Sequence, residues 1–311
     1  MTENVTEKII ILGGGPAGFT AGLYAARAEL NPLILTGMAE GGQASQTHQI
    51  ENYPGFPAGV NGFELMMAFK DQAERFGARS VSDVAQEVVI RENGLFEVLG
   101  YSDKYLCRSL VVATGASPRL LNVPGEREFT GRGVSYCGTC DGWFFRDKEI
   151  VVVGGGDSAL EEALFLTRFA SSIQIVHRRD TLRASKILQT RAKENPKISF
   201  IWNSVVEEIR GDDGQGVNAV VLRNILTGDC TVRNVSGVFI FIGHKPNTDF
   251  LRGVVDMDER GYIEIDRFMQ TSVPGIFAAG EVADPIYRQV ITSAGMGASA
   301  AMQAVRYLAG G

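Results

Sequence analysis

What this chain lacks narrows the field before any motif is read. Among its 311 residues there are only four cysteines and three histidines. Cys107 and Cys230 stand alone, and His48, His177 and His244 are scattered without ligand spacing. A zinc site would need a second Cys or His pair and is therefore disfavoured. So few cysteines in so long a chain also argue against a disulfide-stapled scaffold and suit a reducing cytosol. Positive charge is not in excess: 30 Lys and Arg face 36 Asp and Glu, for a net charge of −6. That balance offers nothing to a nucleic-acid backbone or an anionic membrane surface. The first apolar run is broken by Gly13, Gly14, Gly15 and Pro16, so neither a signal peptide nor a membrane span is read there. The expectation is a soluble, cytoplasmic protein, with a length that suits two domains.

Glycine, by contrast, is plentiful at 37 residues, and its placement is informative. The run Lys8 to Leu12 reads as a buried strand, Gly13 to Gly18 as a turn, and Phe19 to Ala28 as a helix. Gly13, Gly15 and Gly18 form G-x-G-x-x-G in the strand-turn-helix setting that a dinucleotide site requires. The first glycine permits the tight turn, the second admits a pyrophosphate to the helix N-terminus, and the third lets helix and strand pack closely. The next strand, Pro32 to Leu35, ends without an acid, which leaves Glu40 as the candidate ribose ligand.

A second unit of the same kind opens at Lys148. Glu149 to Val153 reads as a strand, Gly154 to Ala159 as G-x-G-x-x-A, and Leu160 to Ala170 as a helix. The following strand, Ser172 to Val176, ends in His177-Arg178-Arg179, with Arg183 four residues beyond. Arginines where an NAD site carries its ribose-binding acid point to the 2′-phosphate of NADPH.

Elsewhere, Phe63 to Phe76 has the spacing of an amphipathic helix. Val84 to Val89 and Phe96 to Leu99 read as a meander, and Val205 to Arg210, Ala219 to Arg223 and Cys230 to Val232 as short strands, with a turn over Asp212 to Gly216. Two buried strands, Leu110 to Gly115 and Gly237 to Gly243, each end in glycine with a proline soon after, at Pro118 and Pro246. These matched ends are read as crossings between domains, one domain being inserted into the other. Thr292 to Leu308 is a helix of small residues, which suits either close approach to a ligand or tight helix packing.

The stretch Cys137-Gly138-Thr139-Cys140-Asp141-Gly142 lies just before the second nucleotide unit. Two thiols at C-x-x-C spacing form a redox pair or a structural disulfide.

Together these motifs resemble the low-molecular-weight thioredoxin reductases: two G-x-G-x-x-[GA] units, C-x-x-C-D-G before the second, H-R-R-x-x-x-R after it, and Gly280 with Tyr287-Arg288-Gln289 near the end. The resemblance spans essentially the whole chain. It implies an α/β fold of two Rossmann-like nucleotide-binding domains, a three-layer FAD domain over 1–117 and 246–311 with an NADPH domain over 118–245 inserted. It also implies a homodimer that passes electrons from NADPH through FAD to the dithiol and on to thioredoxin, with one domain rotating against the other.

Carried over residue by residue, Gly13, Gly15, Pro16, Ala17 and Gly18 would hold the FAD pyrophosphate, with Glu40, Gly41, Gly42, Gln43, Asn52, Val84, Ala113, Thr114 and Gly115 along the cofactor. Gly280, Glu281 and Val290 would also bind it, Glu281 at the ribityl chain, while Arg288 and Gln289 would reach its isoalloxazine end. Gly154, Gly156, Asp157, Ser158 and Ala159 would cradle NADPH, and His177, Arg178, Arg179 and Arg183 would meet its phosphate end. Cys140 would face the flavin, Cys137 would attack the thioredoxin disulfide, and Asp141 would manage the thiol proton. Three positions depart from the family pattern. Gly138 replaces an Ala, Glu281 an Asp and Ala298 a Cys. A relative with another disulfide substrate or electron donor, or a non-catalytic flavin redox sensor, is the alternative reading. The absence of a fused N-terminal redox domain speaks against a hydroperoxide-reductase partner.

Overall fold

A computed structural model describes residues 6–38, 40–47, 49–212, 214 and 216–310. Ala39 and His48, and Asp213 and Gln215 of the expected turn, lie outside the described residues. The chain divides into two compact units, Met1–Ser117 with Lys245–Gly311, and Pro118–His244. The second division falls one residue before the expected boundary.

The first unit opens with β1 (Thr6–Leu12), α1 (Pro16–Arg27) and β2 (Leu33–Leu35), then α2 (Gly62–Arg75), β3 (Arg79–Val81), β4 (Ala85–Ile90), β5 (Phe96–Gly100), β6 (Lys104–Val112) and β7 (Ala116–Pro118). The second unit contributes β8 (Val134–Ser135), the one-turn α3 (Gly138–Asp141), β9 (Glu149–Val153), α4 (Asp157–Leu166), β10 (Ser172–Val176), α5 (Lys186–Glu194), β11 (Ile198–Ile201), β12 (Ser204–Asp212), β13 (Gly216–Asn224), β14 (Cys230–Asn234) and β15 (Gly237–Ile240). After β16 (His244–Pro246) the chain re-enters the first unit with β17 (Ile276–Ala278) and α6 (Val290–Leu308).

In the first unit the strands run in the order β3-β2-β1-β6-β5-β4, with β17 also on β6. β6 serves two partners along one edge. Its first half pairs antiparallel with β5, Phe96 opposite Cys107, and its second half pairs parallel with β17, Leu110 opposite Ile276. The central strands are covered on both faces, which is why β1 reads as an unbroken apolar run rather than an alternating one. Ile9, Ile11 and Val111 face a layer built from α1 and α6, while Ile10, Leu12 and Val112 face the meander and the segment carrying Leu251, Val255 and Ile263. The small residues of α6 are packing residues: a Cβ on Gly297 would lie 2.2 Å from the Ala17 carbonyl oxygen, and Ala300, Ala301 and Ala304 are fully buried beside α1.

The second unit is a parallel sheet in the order β11-β10-β9-β15-β8 with a separate antiparallel β12-β13-β14 sheet. One face of the parallel sheet packs through Ile150, Val152 and Phe239 onto Leu160, Ala163 and Leu166 of α4. The other packs through Val151, Val153 and Val238 onto Val206, Ile209 and Val220 of the antiparallel sheet. The two crossing segments, β7 and β16, pair with each other as a ribbon. Among the described residues no helix is long and apolar enough to cross a membrane.

Candidate active site

In the first unit the three motif glycines have different surroundings. Gly13 has φ +115°, and a Cβ there would lie 2.2 Å from the Ala113 carbonyl oxygen; the turn is pinned by Gly13 N–H donating to Leu35 O at 2.8 Å and Ala113 N–H donating to Leu12 O at 2.7 Å. Gly18 has its Cβ position only 1.8 Å from the Gly13 carbonyl oxygen, so helix and turn touch backbone to backbone. At Gly15, by contrast, the nearest atom to a Cβ would be Gly41 O, 4.0 Å away. Gly15 is also the N-cap of α1, has no side-chain cap, and precedes Pro16 at the first turn. An open concavity at an uncapped helix N-terminus, with Gly42 (φ +59°) close to Gly15 Cα, fits a pyrophosphate.

Around this cradle the structure gathers most of the predicted residues. Gly41 N–H donates to Gly14 O at 2.8 Å. Gln43 Nε2 donates to Ala116 O and, at 3.2 Å, to the Glu281 carboxylate. Asn52 Nδ2 donates to Gln289 Oε1 at 3.1 Å. Thr114 Oγ donates to Asn247 O at 2.7 Å, and Gly115 O accepts from Asn247 N–H at 2.9 Å. Gly280, at φ +78°, brings its backbone close to Ala17, and Val290 begins α6. Burial pushes the Glu281 carboxyl above the usual range, with Asp284 adding to the effect, while Arg288, the Ala116 N–H and Gln43 oppose it. Arg288 has φ +52°, a conformation costly for a side-chain-bearing residue. It is held there by Asp284, whose carboxylate accepts from the N–H groups of Ile286, Tyr287 and Arg288 at 2.9, 3.0 and 3.3 Å. Stored backbone strain of this kind is common where a side chain must be presented.

Two predicted residues are otherwise engaged. Glu40 holds Lys70 Nζ at 2.8 Å through both carboxylate oxygens. Val84 donates its N–H to Asp83 at 2.8 Å, and its carbonyl accepts from Tyr101 N–H at 2.9 Å.

The second unit repeats the pattern. Gly154 has φ +155° and a Cβ position 2.6 Å from both Ala159 Cβ and Phe241 O. At Gly156, the uncapped N-cap of α4, the nearest atom to a Cβ would be Arg183 Nη2 at 4.0 Å. Arg183 is anchored by its own N–H donating to Gly155 O at 2.8 Å, so a guanidinium stands at the mouth of the second cradle. Arg178, Arg179 and Arg183 are all exposed. Among the described residues none of the three has an ion pair with a carboxylate. Three unneutralised guanidinium groups beside an open helix N-terminus suit a phosphomonoester. His177 lies beneath this loop, its ring within 2.3 Å of where a Gly155 Cβ would be and Nε2 3.1 Å from Thr181 O. Its pKa is lowered, first by burial and then by the three arginines, against the Thr181 hydrogen bond. Beside it, Trp202 meets the His177 ring edge-on and stacks flat on Phe200 at 4.9 Å. Ser158 is in the first turn of α4 and exposed, whereas Asp157 is turned aside, its carboxylate accepting from Ser185 N–H at 2.8 Å.

The thiols, also in the second unit, are joined as the Cys137–Cys140 disulfide. The pair follows β8 and heads α3, short elements that sequence periodicity did not disclose. Cys137 is the N-cap of α3, its sulfur accepting from Cys140 N–H at 3.2 Å; a donor aimed at this sulfur favours its thiolate once the bond is reduced. Asp141 Oδ2 accepts from Ser135 Oγ at 2.6 Å, and the same hydroxyl oxygen accepts from Cys137 N–H at 3.1 Å. Burial raises the Asp141 pKa against that hydrogen bond, which moves a proton-handling group toward neutral pH. Trp143 and Phe144 are exposed beyond the pair, with Trp143 edge-on to Phe169 and under the Arg146 guanidinium at 4.3 Å. The two other cysteines take no part: Cys107 is buried, which pushes its thiol up to about 12, and Cys230 is exposed on β14.

Known proteins resemble this chain in sequence and in fold. The family model for pyridine nucleotide-disulphide oxidoreductase matches residues 7–298. The chain belongs to the pyridine nucleotide-disulphide oxidoreductase family. It is 48% identical over 310 residues to a thioredoxin reductase of Mycolicibacterium smegmatis, covering 99% of this chain and 98% of that one. It is 49% identical over 304 residues to a bifunctional thioredoxin reductase/thioredoxin of Mycobacterium leprae, covering 97% of this chain and 66% of that one. Among solved structures, the thioredoxin reductase of Streptococcus pyogenes superposes with a TM-score of 0.94 at 45% identity, covering 99% of this chain and all of that one. As a member of this family the protein is an oxidoreductase, and its two parallel-sheet units are the dinucleotide-binding folds such an enzyme uses.

Several residues that shape the site carry no local sequence signal. Lys70, Asp284, Asn247 and Ser135 each act across a loop or from another element, and a single acid or amide outside any motif gives no periodicity to read. Glu126 is similar: 1% exposed, it accepts from Leu121 N–H at 2.8 Å, Asn122 N–H at 2.6 Å and Tyr136 Oη at 3.0 Å.

Proposed function

We propose that the protein reduces the disulfide of thioredoxin with electrons from NADPH, using FAD and the Cys137/Cys140 pair, as a cytoplasmic homodimer. One observation carries the reading: a disulfide turn with its own half-buried acid in the same unit as a cradle faced by three arginines without a carboxylate ion pair, in a chain that also has an open glycine cradle for a second dinucleotide. The name of the M. leprae relative, which joins reductase and thioredoxin in a single protein, supports the choice of partner.

When bound, NADPH supplies a hydride and FAD relays its electron pair to the disulfide. Gly15 and the N-terminus of α1 hold the FAD pyrophosphate, Gln43, Asn52, Glu281, Arg288 and Gln289 orient the flavin, and Gly156 with Arg178, Arg179 and Arg183 seats NADPH by its 2′-phosphate. In the reduced pair the Cys137 thiolate attacks one sulfur of the substrate disulfide and expels the other as a thiolate. Cys140 then attacks Cys137 Sγ, releasing the substrate dithiol and restoring the Cys137–Cys140 bond. Asp141, steadied by Ser135, takes and returns the thiol proton.

Stopped-flow reduction tests this. NADPH should bleach the flavin absorbance and oxidised thioredoxin should restore it, and Cys140→Ser should keep the first step and lose the second. A flavin that NADPH leaves yellow, or thioredoxin turnover retained in Cys140→Ser, refutes the assignment.

A further inference from the structure

The dithiol turn lies directly on α4, and its glycines permit this. A Cβ on Gly142 would lie 2.9 Å from Leu166 Cδ2 and 3.1 Å from Phe169, and a Cβ on Gly138 would lie 3.5 Å from Leu166 Cγ. The same Gly138 Cβ would fall 2.1 Å from the Glu162 carboxylate oxygen Oε2, an oxygen without solvent access. Glu162 is four residues before Leu166 on α4 and so on the same face. An acid therefore occupies the volume that the methyl of an alanine at 138 would need, against the backbone that follows Cys137.

We infer that Glu162 is a positioning residue for the redox pair: its carboxylate, seated under Gly138, opposes thiolate formation at Cys137 and Cys140 and so sets the ionisation of the reduced dithiol. The inference rests on the relay role assigned above to these cysteines. A carboxylate held close to a thiol disfavours the thiolate, and it works against the Cys140 N–H that favours one. The balance is useful, because a thiol whose pKa falls too far loses nucleophilicity, and the best attacking thiol ionises near the ambient pH. Among the described residues, the acids at the turn include Asp141, on the turn itself, and Glu162, from the helix beneath, while Arg146 lies over Trp143 and Lys148 over Phe145. Gly138 and Glu162 thus belong together, since a methyl at 138 would require this carboxylate oxygen to shift from its place.

The test is the pH dependence of iodoacetamide alkylation at Cys137 and Cys140 in NADPH-reduced holoenzyme, read by peptide mass in a Cys230→Ser background. Glu162→Gln keeps the size of the side chain and removes its charge. It should lower the alkylation midpoint so that at a pH below it the dithiol reacts about threefold to tenfold faster, tenfold being one pKa unit. At alkaline pH, where thiolate is populated, the ratio of dithiol to disulfide against dithiothreitol should rise by a similar factor. Gly138→Ala, which displaces the carboxylate, should shift both readouts in the same direction, and the double variant should go no further than either single one. Unmoved profiles in both single variants, or additive shifts in the double, overturn the inference, and if Glu162→Gln fails to fold, Gly138→Ala alone decides. Cysteines that take no label after NADPH would instead sink the relay assignment, and this inference with it.

Discussion

The contrast between Gly15 and Gly18 allows a ligand cradle to be separated from a packing glycine by experiment. Gly15 has φ −94° and ψ −168°, a conformation that alanine adopts without strain, and its Cβ would have nothing nearer than 4.0 Å. Replacing a glycine N-cap by alanine costs roughly 0.5–1 kcal/mol, and stiffening the unfolded chain returns about 0.4–1 kcal/mol. The apoprotein of Gly15→Ala should therefore melt where the wild type does. The new methyl occupies the cradle, however, and an intruding methylene costs about 1–3 kcal/mol, which is about fivefold to 150-fold in Kd for FAD. At Gly18 the Cβ meets the Gly13 carbonyl oxygen at 1.8 Å. The carbonyl oxygen belongs to the backbone and a Cβ is fixed rigidly to its own, so the helix must move off the turn. The overpacking cost of about 1–3 kcal/mol then falls on the fold, and the apoprotein should melt lower by about 2–4 °C per kcal/mol. Thermal melts of the flavin-stripped variants, together with FAD titrations, give both numbers. A Gly15→Ala apoprotein as unstable as Gly18→Ala, or one that binds FAD with wild-type affinity, would refute the cradle argument.

Two further outcomes are expected. Replacing Arg178 and Arg179 together by alanine should raise KM for NADPH about tenfold or more and leave KM for NADH nearly unchanged, because only NADPH offers the phosphate that a guanidinium pairs with; equal effects in steady-state kinetics would assign these arginines a structural role. Asp141, with its carboxyl raised above the ordinary value of 3.8 by burial, binds a proton in the folded state that the unfolded state has released over the window from 3.8 upward to its folded pKa. Its contribution therefore falls as pH rises through that window. Urea unfolding of Asp141→Asn from pH 4 to 7 should show less of this decline, and an unchanged slope would contradict the stated burial effect.

The nucleotide units were legible because their signal is local and redundant: an apolar strand, glycines at fixed offsets and a helix within thirty residues of one another. The same holds for the arginines after β10, whose meaning comes from their place at a strand end. The small residues of α6 were ambiguous in sequence, and the contact of Gly297 with the Ala17 carbonyl resolves them as packing. The glycine motif assigns Gly13 to the turn, Gly18 to packing and Gly15 to a ligand, and the structure has protein against the first two and open space at the third. Glu40 illustrates the limit most plainly. Its position after β2 suggests a ribose ligand, and nothing in the pattern shows that Lys70, 30 residues on, holds both of its oxygens. The one-turn helix at the thiols was hidden because four residues are too few for a period to appear.

Both tryptophans of the chain, Trp143 beside the thiol pair and Trp202 stacked on Phe200, belong to the inserted unit, and the first unit has none. Indole emission from the intact protein is therefore a private channel to one half of the molecule, with one fluorophore near the sulfur chemistry and the other near the arginine loop. Visible absorbance of a bound flavin would report the other half. A denaturation followed at both wavelengths would thus reveal, without any label, whether the two halves come apart together or in turn.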